Sequence, residues 1–514
     1  MADDQTDIVA FLSRPQAYGL ESGTIERCAT HGSFVFLAGE RAYKLKRAVR
    51  FPYMDYSTLK RRKAMCEAEL AVNRRLAPEL YIGTAPIVRR KDGSLHIGGA
   101  DETHDAIDWL VVMRRFGQDA LFDAMQRRGA LTLPLMRRLA ERIAAFHLGA
   151  DKQPAFGGAR GIAAVIGENI DLLGKMAGHP FDRARIDRLA VLSADALERV
   201  RSLLDARRDD GHVRRCHGDL HLGNICLFDG RPVPFDAIEF REEFTAIDVL
   251  YDLAFLLMDL DRRGLRAHAN AVLNRYLEKT GDYVGLGALS LFLSCRAAVR
   301  AHVTIAAAAF DKDGASRARE AQELLDRAIL YLEPRAAQLV AVGGVSGTGK
   351  STLAACLAPA MGRVPGAVVI RSDVVRKLLW GVDALQRLPP AAYEAQFTRR
   401  VYARVAQQAG LVLDGGYCAV GDAVFGNAEQ RAEIETIARE RGVAFRGLWL
   451  HAPVPILERR VAARENDASD ATLEVLRAQL AGVESPKDWT CVDAGGAPAD
   501  SFAQAASALA LTDS

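Results

Sequence analysis

Residues 33–37 form an apolar run of strand character, and residues 42–49 repeat it after the turn residues Ala38-Gly39-Glu40-Arg41; the spacing predicts a hairpin. Residues 1 to about 30 read as a short helical lead-in. Over 57–77 the pattern changes to a helical period, with Leu59, Met65, Leu70, Val72 and Leu76 mostly on one face. Residues 82–97 predict a second hairpin turning at Lys91-Asp92-Gly93, and 109–113 a short apolar strand. From Pro134 the pattern is helical for most of the way to residue 332, broken by a β-like island at 213–240. The longest apolar stretch, 286–309, carries Arg296 and Arg300 and reads as a buried helix, not a membrane span. Pro334 marks a boundary. Beyond it strands (from 338, then 368–370, 411–414, 445–450) alternate with helices (374–380, 393–409, 429–439, 454–464). Residues 485–514 close the chain with a short strand and a helix. Such alternation implies a parallel sheet flanked by helices.

Length turns this pattern into a domain expectation: 514 residues are too many for one core. The small β-rich lobe (about 1–114) and the helical lobe (about 115–333) make a first domain, and 336–514 a second. The fold class is therefore α/β and α+β. Basic and acidic residues nearly cancel, 67 against 65, which gives no reason to expect a nucleic-acid or membrane partner. The eight cysteines include no C-x-x-C pair, so neither a disulfide framework nor a zinc ribbon is indicated. The N-terminus lacks a signal-peptide apolar core, and a cytoplasmic protein is expected.

Two stretches carry chemistry. Gly344-Val345-Ser346-Gly347-Thr348-Gly349-Lys350-Ser351, followed by Thr352, is G-x-x-x-x-G-K-S between an apolar strand and a helix. Glycines let the backbone curl so that successive N–H groups, Ser346, Gly347, Thr348 and Gly349 among them, face phosphate oxygens, and the helix N-terminus adds positive potential. Lys350 reaches the β/γ-phosphates and Ser351 ligates Mg²⁺. A nucleotide triphosphate is therefore expected here, with ATP as the working expectation and GTP left open. Upstream, His217-Gly218-Asp219-Leu220-His221-Leu222-Gly223-Asn224-Ile225 sets Asp219 and Asn224 five apart. The kinase catalytic loop has the same separation, its Asp accepting the hydroxyl proton and its Asn holding a metal.

The loop H-G-D-L-H-L-G-N-I resembles that of the aminoglycoside phosphotransferase family, over roughly residues 30–330. The resemblance implies a bilobal protein-kinase-like fold with ATP in the cleft. It assigns the strand lysine to Lys44 in Ala42-Tyr43-Lys44, with Lys46 as runner-up. The helix glutamate is Glu69, with Glu67 the alternative. The adenine hinge falls on 111–115, with Val111 and Met113 as contacts, and the metal aspartate is Asp236, with Glu239 competing. Asp248 and Asp252 resemble the family's following helix and are structural. No glycine triplet precedes the lysine strand; Thr30-His31-Gly32-Ser33 is the phosphate-loop candidate.

In the second domain Asp373 and Arg376 lie three apart. They resemble the Asp-x-x-Arg pair of P-loop kinases of the gluconate-kinase, chloramphenicol-phosphotransferase and zeta-toxin type. Asp373 would take the acceptor proton, and Arg376 would hold the acceptor or stabilise charge. Asp414, ending the apolar run 411–413, is expected as the Walker-B carboxylate on Mg²⁺, and Arg460 and Arg464 as lid arginines on the phosphates. The expectation is a bifunctional ATP-dependent phosphotransferase acting on small-molecule hydroxyls. Its alternative is a regulatory ATPase or nucleotide sensor with a non-catalytic kinase-like ligand-binding half. The Asp373/Arg376 pair favours transfer, since a sensor needs no acceptor site.

Overall fold

The computed structural model describes residues 4–511 apart from 31, 52–53, 100, 179, 309–313 and 464–467. Two compact units emerge: Met1–Gly158 with Asp205–Asp259, and Ala159–Leu204 with Leu260–Ser514.

The first unit is built on β1 (Glu26–Ala29), β2 (Ser33–Ala38), β3 (Arg41–Lys46), β4 (Tyr81–Arg89), β5 (Leu95–Ile97) and β6 (Ala106–Arg114). They form one sheet in the order β1-β2-β3-β6-β4-β5, and every pairing is antiparallel. Both expected hairpins are present. Alternation along β6 builds two cores. Leu110 and Val112 join Phe36, Leu45 and Ile87 on one face, while Trp109 and Val111 join Cys66 and Leu80 on the other. The second face is covered by α1 (Leu59–Arg74), whose N-cap Thr58 accepts from Arg61 N. The helix α2 (Leu133–Gly149), the hairpin β7 (Ile225–Phe228)/β8 (Arg231–Pro234) and α3 (Val249–Arg262) follow.

In the second unit β9 (Gln338–Gly343), β10 (Val368–Arg371), β11 (Ala419–Asp422), β12 (Ala444–His451) and β13 (Thr490–Asp493) make a parallel sheet in the order β10-β11-β9-β12-β13. Val340, Val342, Val420, Leu448, Leu450 and Val492 pack with Leu353 and Leu357 and with Ala505 of the closing helix Pro498–Ala508.

Residues 159–204 and 260–332 group with this sheet, although the sequence pattern assigns them to the first domain. One reason is visible at the sheet edge. The helix α4 (Arg266–Thr280) lies beside β10, where Asn270 Nδ2 donates to Ala367 O at 2.9 Å and Asn274 Oδ1 accepts from Val369 N at 2.7 Å. An edge strand exposes unpaired backbone groups, and the two asparagines satisfy them. Among the described residues the segment Leu286–Ala306 is long and apolar enough to cross a membrane; 67% of its apolar window is buried inside the structure.

Two elements differ from expectation; the first is Glu26–Ala29, a strand inside the expected helical lead-in. Residues 411–414 are not a strand but the last turn of a helix, Ala395–Asp414. Val401, Val405, Ala409 and Val412 share its buried face, so the apolar run was the end of an amphipathic helix. The strand comes after the turn at Gly415-Gly416, as β11.

Candidate active sites

Alternation decides what β3 presents. Tyr43 and Leu45 join the core with Phe36, so Lys44 and Lys46 share the opposite face, toward α1. There both ammonium groups meet Glu69, whose side chain is 0% exposed: Lys44 Nζ is 2.9 Å from Oε1 and Lys46 Nζ 2.6 Å from Oε2. Each lysine has a second carboxylate from the segment after β8. Lys44 reaches Asp236 Oδ1 and Lys46 reaches Glu239 Oε1, each at 2.5 Å. The two sets differ in access. Lys46 and Glu239 are buried, and Glu239 also accepts from Tyr56 Oη. Asp236 is 41% exposed, so a phosphate could approach the Lys44–Asp236 set and not the other. Glu67 pairs with Lys63 on the surface. Burial works against both ammonium groups, but Asp236 and Glu69 hold Lys44 above the usual lysine pKa, and Glu239 and Glu69 do the same for Lys46.

The loop from His217 to Ile225 is fixed from behind. Asp252 of α3 accepts from His217 N at 3.1 Å, from Gly218 N at 2.8 Å and lies 3.1 Å from His147 Nε2. Asp259, about two helical turns further on, accepts from Leu222 N at 3.1 Å. Asp248 instead grips Arg207 through both oxygens, at 2.7 and 2.8 Å. His217 Nδ1 accepts from Asp219 N, so its Nε2 is the nitrogen that donates to Phe235 O at 2.9 Å. Burial depresses the His217 pKa, which keeps the ring neutral as that pattern requires. Gly218 sits at φ 85°, and a Cβ there would come within 2.7 Å of Phe244 O, so only glycine fits the turn into Asp219.

Asp219 Oδ2 accepts from Asn224 Nδ2 at 2.9 Å, with His221 Nε2 at 3.4 Å. That bond uses the Asn224 N–H and leaves its amide oxygen for a cation. Asp236 has a left-handed φ of 62°, a conformation aspartate tolerates better than most residues, and its N–H donates to Tyr81 Oη at 3.2 Å. The oxygens of Asn224 and Asp236 are the hard donors that magnesium takes, so the residues present fit the ion.

One expectation in this unit changes. Val111 and Met113 lie within β6, paired to β3 at Lys44 and Ala42 and to β4 at Thr84 and Tyr81. In a central strand those backbone groups belong to the ladder, so neither residue has one to offer adenine. The chain leaves the sheet only after Arg114. The phosphate-loop candidate at 30–33 is the turn between β1 and β2, closed by Thr30 N donating to Ser33 O at 2.8 Å; His31 lies outside the described residues.

In the second unit β9 leads into the glycine-rich loop and then into α5 (Lys350–Leu357), with Gly349 as N-cap at φ 89°. Gly344, at φ 135°, passes so near Leu450 O that a Cβ would stand 2.6 Å from it. Ser351 and Thr352 lie in the first turn of α5, where the free N–H groups face outward along the axis. Lys350 Nζ donates to Val345 O at 3.0 Å, and Thr348 Oγ1 to the same carbonyl at 2.8 Å.

Asp373 opens α6 (Ser372–Trp380), directly after β10. Burial, and the Asp422 carboxylate beside it, push its carboxyl above the usual carboxylate range; Lys350, the Ser469 hydroxyl and Arg371 oppose the shift. Asp422 ends β11, in register with Val342 of β9 and Arg371 of β10, and is 4% exposed. It is the carboxylate at the C-terminal edge of the strand next to the phosphate loop, the position that sequence reasoning gave to Asp414. Asp414 is half exposed at a helix end and paired with Arg441 at 2.8 Å.

Two arginine expectations change as well. Arg376 is buried; its Nη1 donates to Ala392 O at 2.6 Å and to Thr398 Oγ1 at 3.1 Å, and its guanidinium stands over the Tyr393 ring. It holds the chain opposite α6 in place. Arg460, on α7 (Val454–Ala462), donates to Ala494 O at 2.7 Å and Gly496 O at 3.2 Å, so it braces the turn after β13 and is not a free lid arginine. Arg464 lies outside the described residues.

Residues 54–289 match the phosphotransferase enzyme family model, and residues 339–486 match an AAA domain model. The chain is therefore similar to a phosphotransferase-family domain over 54–289 and to a P-loop-containing AAA domain over 339–486. Uncharacterized proteins of Mycobacterium tuberculosis and Mycobacterium bovis are each 28% identical over 475 residues, covering 90% of this chain and 90% of theirs. A choline/ethanolamine kinase family protein from Mesorhizobium loti covers 64% of this chain and 99% of its own, at 15% identity and TM-score 0.38. A gluconokinase from Sinorhizobium meliloti covers 34% of this chain and 91% of its own, at 20% identity and TM-score 0.26. The two family matches support an ATP-dependent phosphotransferase.

Sequence reasoning missed several residues of the P-loop domain. Lys377 is 1% exposed and clamps both oxygens of Asp470 at 2.8 Å, while Leu388 N and Tyr393 Oη bond the same carboxylate. Lys377 follows Arg376 directly and both are buried, but nothing local says that two neighbouring basic residues turn inward. Asp422 was findable: Ala419–Asp422 is apolar and ends in Asp, after a Gly-Gly turn.

Proposed function

We propose that the chain is a bifunctional phosphotransferase, with residues 1–333 and 336–514 as its two functional halves. Each moves the γ-phosphoryl of ATP to a hydroxyl of a small molecule. The observation that carries this reading is Lys44, held between Glu69 and Asp236 at 2.9 and 2.5 Å on the accessible side of a buried ion-pair network. Such a lysine is oriented for phosphate and fully charged. Asp219 accepts the proton of the acceptor hydroxyl while the acceptor oxygen bonds to the γ-phosphorus and the bond to the β-phosphate oxygen breaks. Asn224 and Asp236 would hold Mg²⁺, which would neutralise charge on the phosphates.

In the P-loop half, Lys350 and the loop amides take the phosphates. Ser351 and Asp422 offer hydroxyl and carboxylate oxygens to Mg²⁺, a donor set that fits a hard cation. Asp373 accepts the acceptor proton; a carboxyl raised by burial is the stronger base once ionised. Arg376 keeps the acceptor-side chain in place. All eight cysteines are free thiols, which suits the cytoplasm. The test is an ATP-consumption screen of alcohols and sugars with the full chain and two variants. Asp219→Asn should abolish one phosphorylated product and Lys350→Ala another. If both variants retain every transfer activity of the parent, the proposal is wrong.

A further inference from the structure

The peptide unit joining Val345 to Ser346 in the P-loop is held at both ends. Its carbonyl accepts from Lys350 Nζ at 3.0 Å. Its N–H donates to Gln479 Oε1 at 2.7 Å. Gln479 stands on α8 (Leu473–Gly482), which packs against α7 through Leu476, Leu457 and Val461, with Val345 against the same cluster. One residue of this helix pair therefore makes polar contact with a loop amide, at a point the apolar packing already fixes.

The chemistry of that contact points to a role. Loop N–H groups are the donors that phosphate oxygens seek. Lys350 is the side chain that reaches the outer phosphates, and it touches this same peptide, so the Ser346 N–H belongs to the outer-phosphate limb of the loop. A carboxamide can both accept and donate: Oε1 takes the Ser346 N–H, and a half-turn about the terminal bond presents Nε2–H instead. Glutamate could only accept and would repel an anion. Leucine could do neither.

Resting on the reading of this loop as an ATP site, we infer that Gln479 is a positioning residue for the γ-phosphoryl group. It accepts from Ser346 N in the arrangement seen here, and turns to donate Nε2–H to a γ-phosphate oxygen when the triphosphate is seated. The peptide unit links this motion to Lys350, since hydrogen bonds at the two ends of one amide polarise each other. The helix pair thereby reads whether the terminal phosphate is present.

Calorimetric titration of the full chain with MgATP and MgADP tests this. Lys350→Ala identifies which isotherm belongs to the P-loop. Gln479→Glu keeps the bond to Ser346 N and should weaken MgATP at that site about tenfold or more, by charge repulsion, while MgADP changes far less. Gln479→Leu removes the bond to the seated γ-phosphate and should raise the KM for ATP about tenfold while the KM for the acceptor stays nearly unchanged. A Lys350-dependent isotherm in which Gln479→Glu leaves ATP untouched, or weakens ATP and ADP equally, overturns this inference alone. If no isotherm depends on Lys350, the reading of the loop falls and the inference with it.

Discussion

Replacing Lys46 by methionine should unfold the first unit far more readily than replacing Lys44, though the two residues share a strand and a partner. Lys46 is 1% exposed and lies between Glu69 (0%) and Glu239 (6%), at 2.6 and 2.5 Å. Methionine keeps the length of the side chain and removes the charge. Among the described residues Glu239 is then left with the Tyr56 hydroxyl as its hydrogen-bond donor, and Glu69 keeps one lysine of two. Breaking a buried pair by deleting one partner costs about 3–5 kcal/mol, because the remaining charge is uncompensated. For a unit of this size about 2–4 °C is lost per kcal/mol, so the first thermal transition should fall by about 6–20 °C. Lys44→Met strands Asp236 instead, which is 41% exposed and can be solvated, so its cost should stay near 1 kcal/mol. Circular dichroism melts and urea titrations of the full chain provide the numbers. The double variant Lys46→Met/Glu239→Gln should recover part of the loss, since the stranded charge is gone. If Lys46→Met melts within a degree or two of the parent, the ion-pair argument is refuted.

Other outcomes follow from the same geometry. Asp422→Asn should lower P-loop transfer by about 10²-fold or more, whereas Asp414→Asn should leave it unchanged and cost under about 1 kcal/mol, measured by turnover and melting. Asp252→Asn cannot accept both loop N–H groups and should reduce turnover at Asp219 by about tenfold or more with a small change in KM, read from initial rates. His302, half-buried and 3.2 Å from Asn169 Oδ1, has its pKa lowered by desolvation from 6.5 to about 4. The unfolded chain thus takes up a proton that the folded one refuses. Stability should be full above pH 6.5, fall by up to about 3 kcal/mol as pH drops toward 4, and level off below. His302→Gln should flatten that part of a stability–pH curve.

The chemistry that local sequence carries was legible where its groups are contiguous. The P-loop works through backbone N–H groups and the two residues after its last glycine, so eight residues describe it. The Asp219–Asn224 loop is similar: the bond between them spans five residues, and Gly218 is demanded by the turn itself. Lys44 and Glu69 could be named from alternation and helical period, but Lys46 fits the same rules. The difference between them is what each meets after β8, Asp236 in the open and Glu239 in the dark, and that is a matter of burial.

Elsewhere the local signal was ambiguous in kind. An apolar run ending in aspartate suits a buried strand and the last turn of an amphipathic helix equally, which is why Asp414 stood where Asp422 belongs. Parallel pairing of β11 with β9 decides it, because only a strand beside the loop's own strand delivers a carboxylate there. Arg460 and Arg376 show the same limit: a guanidinium's partner is a carbonyl that the fold brings near from 16 to 36 residues away. What the sequence determined alone was features set by neighbours along the chain: turn glycines, most strand and helix periods, the P-loop motif, the Asp219–Asn224 loop. What only the tertiary structure decided was which charges are buried together and which amide meets which side chain, because desolvation and pairing depend on distance in space and leave no period in the chain.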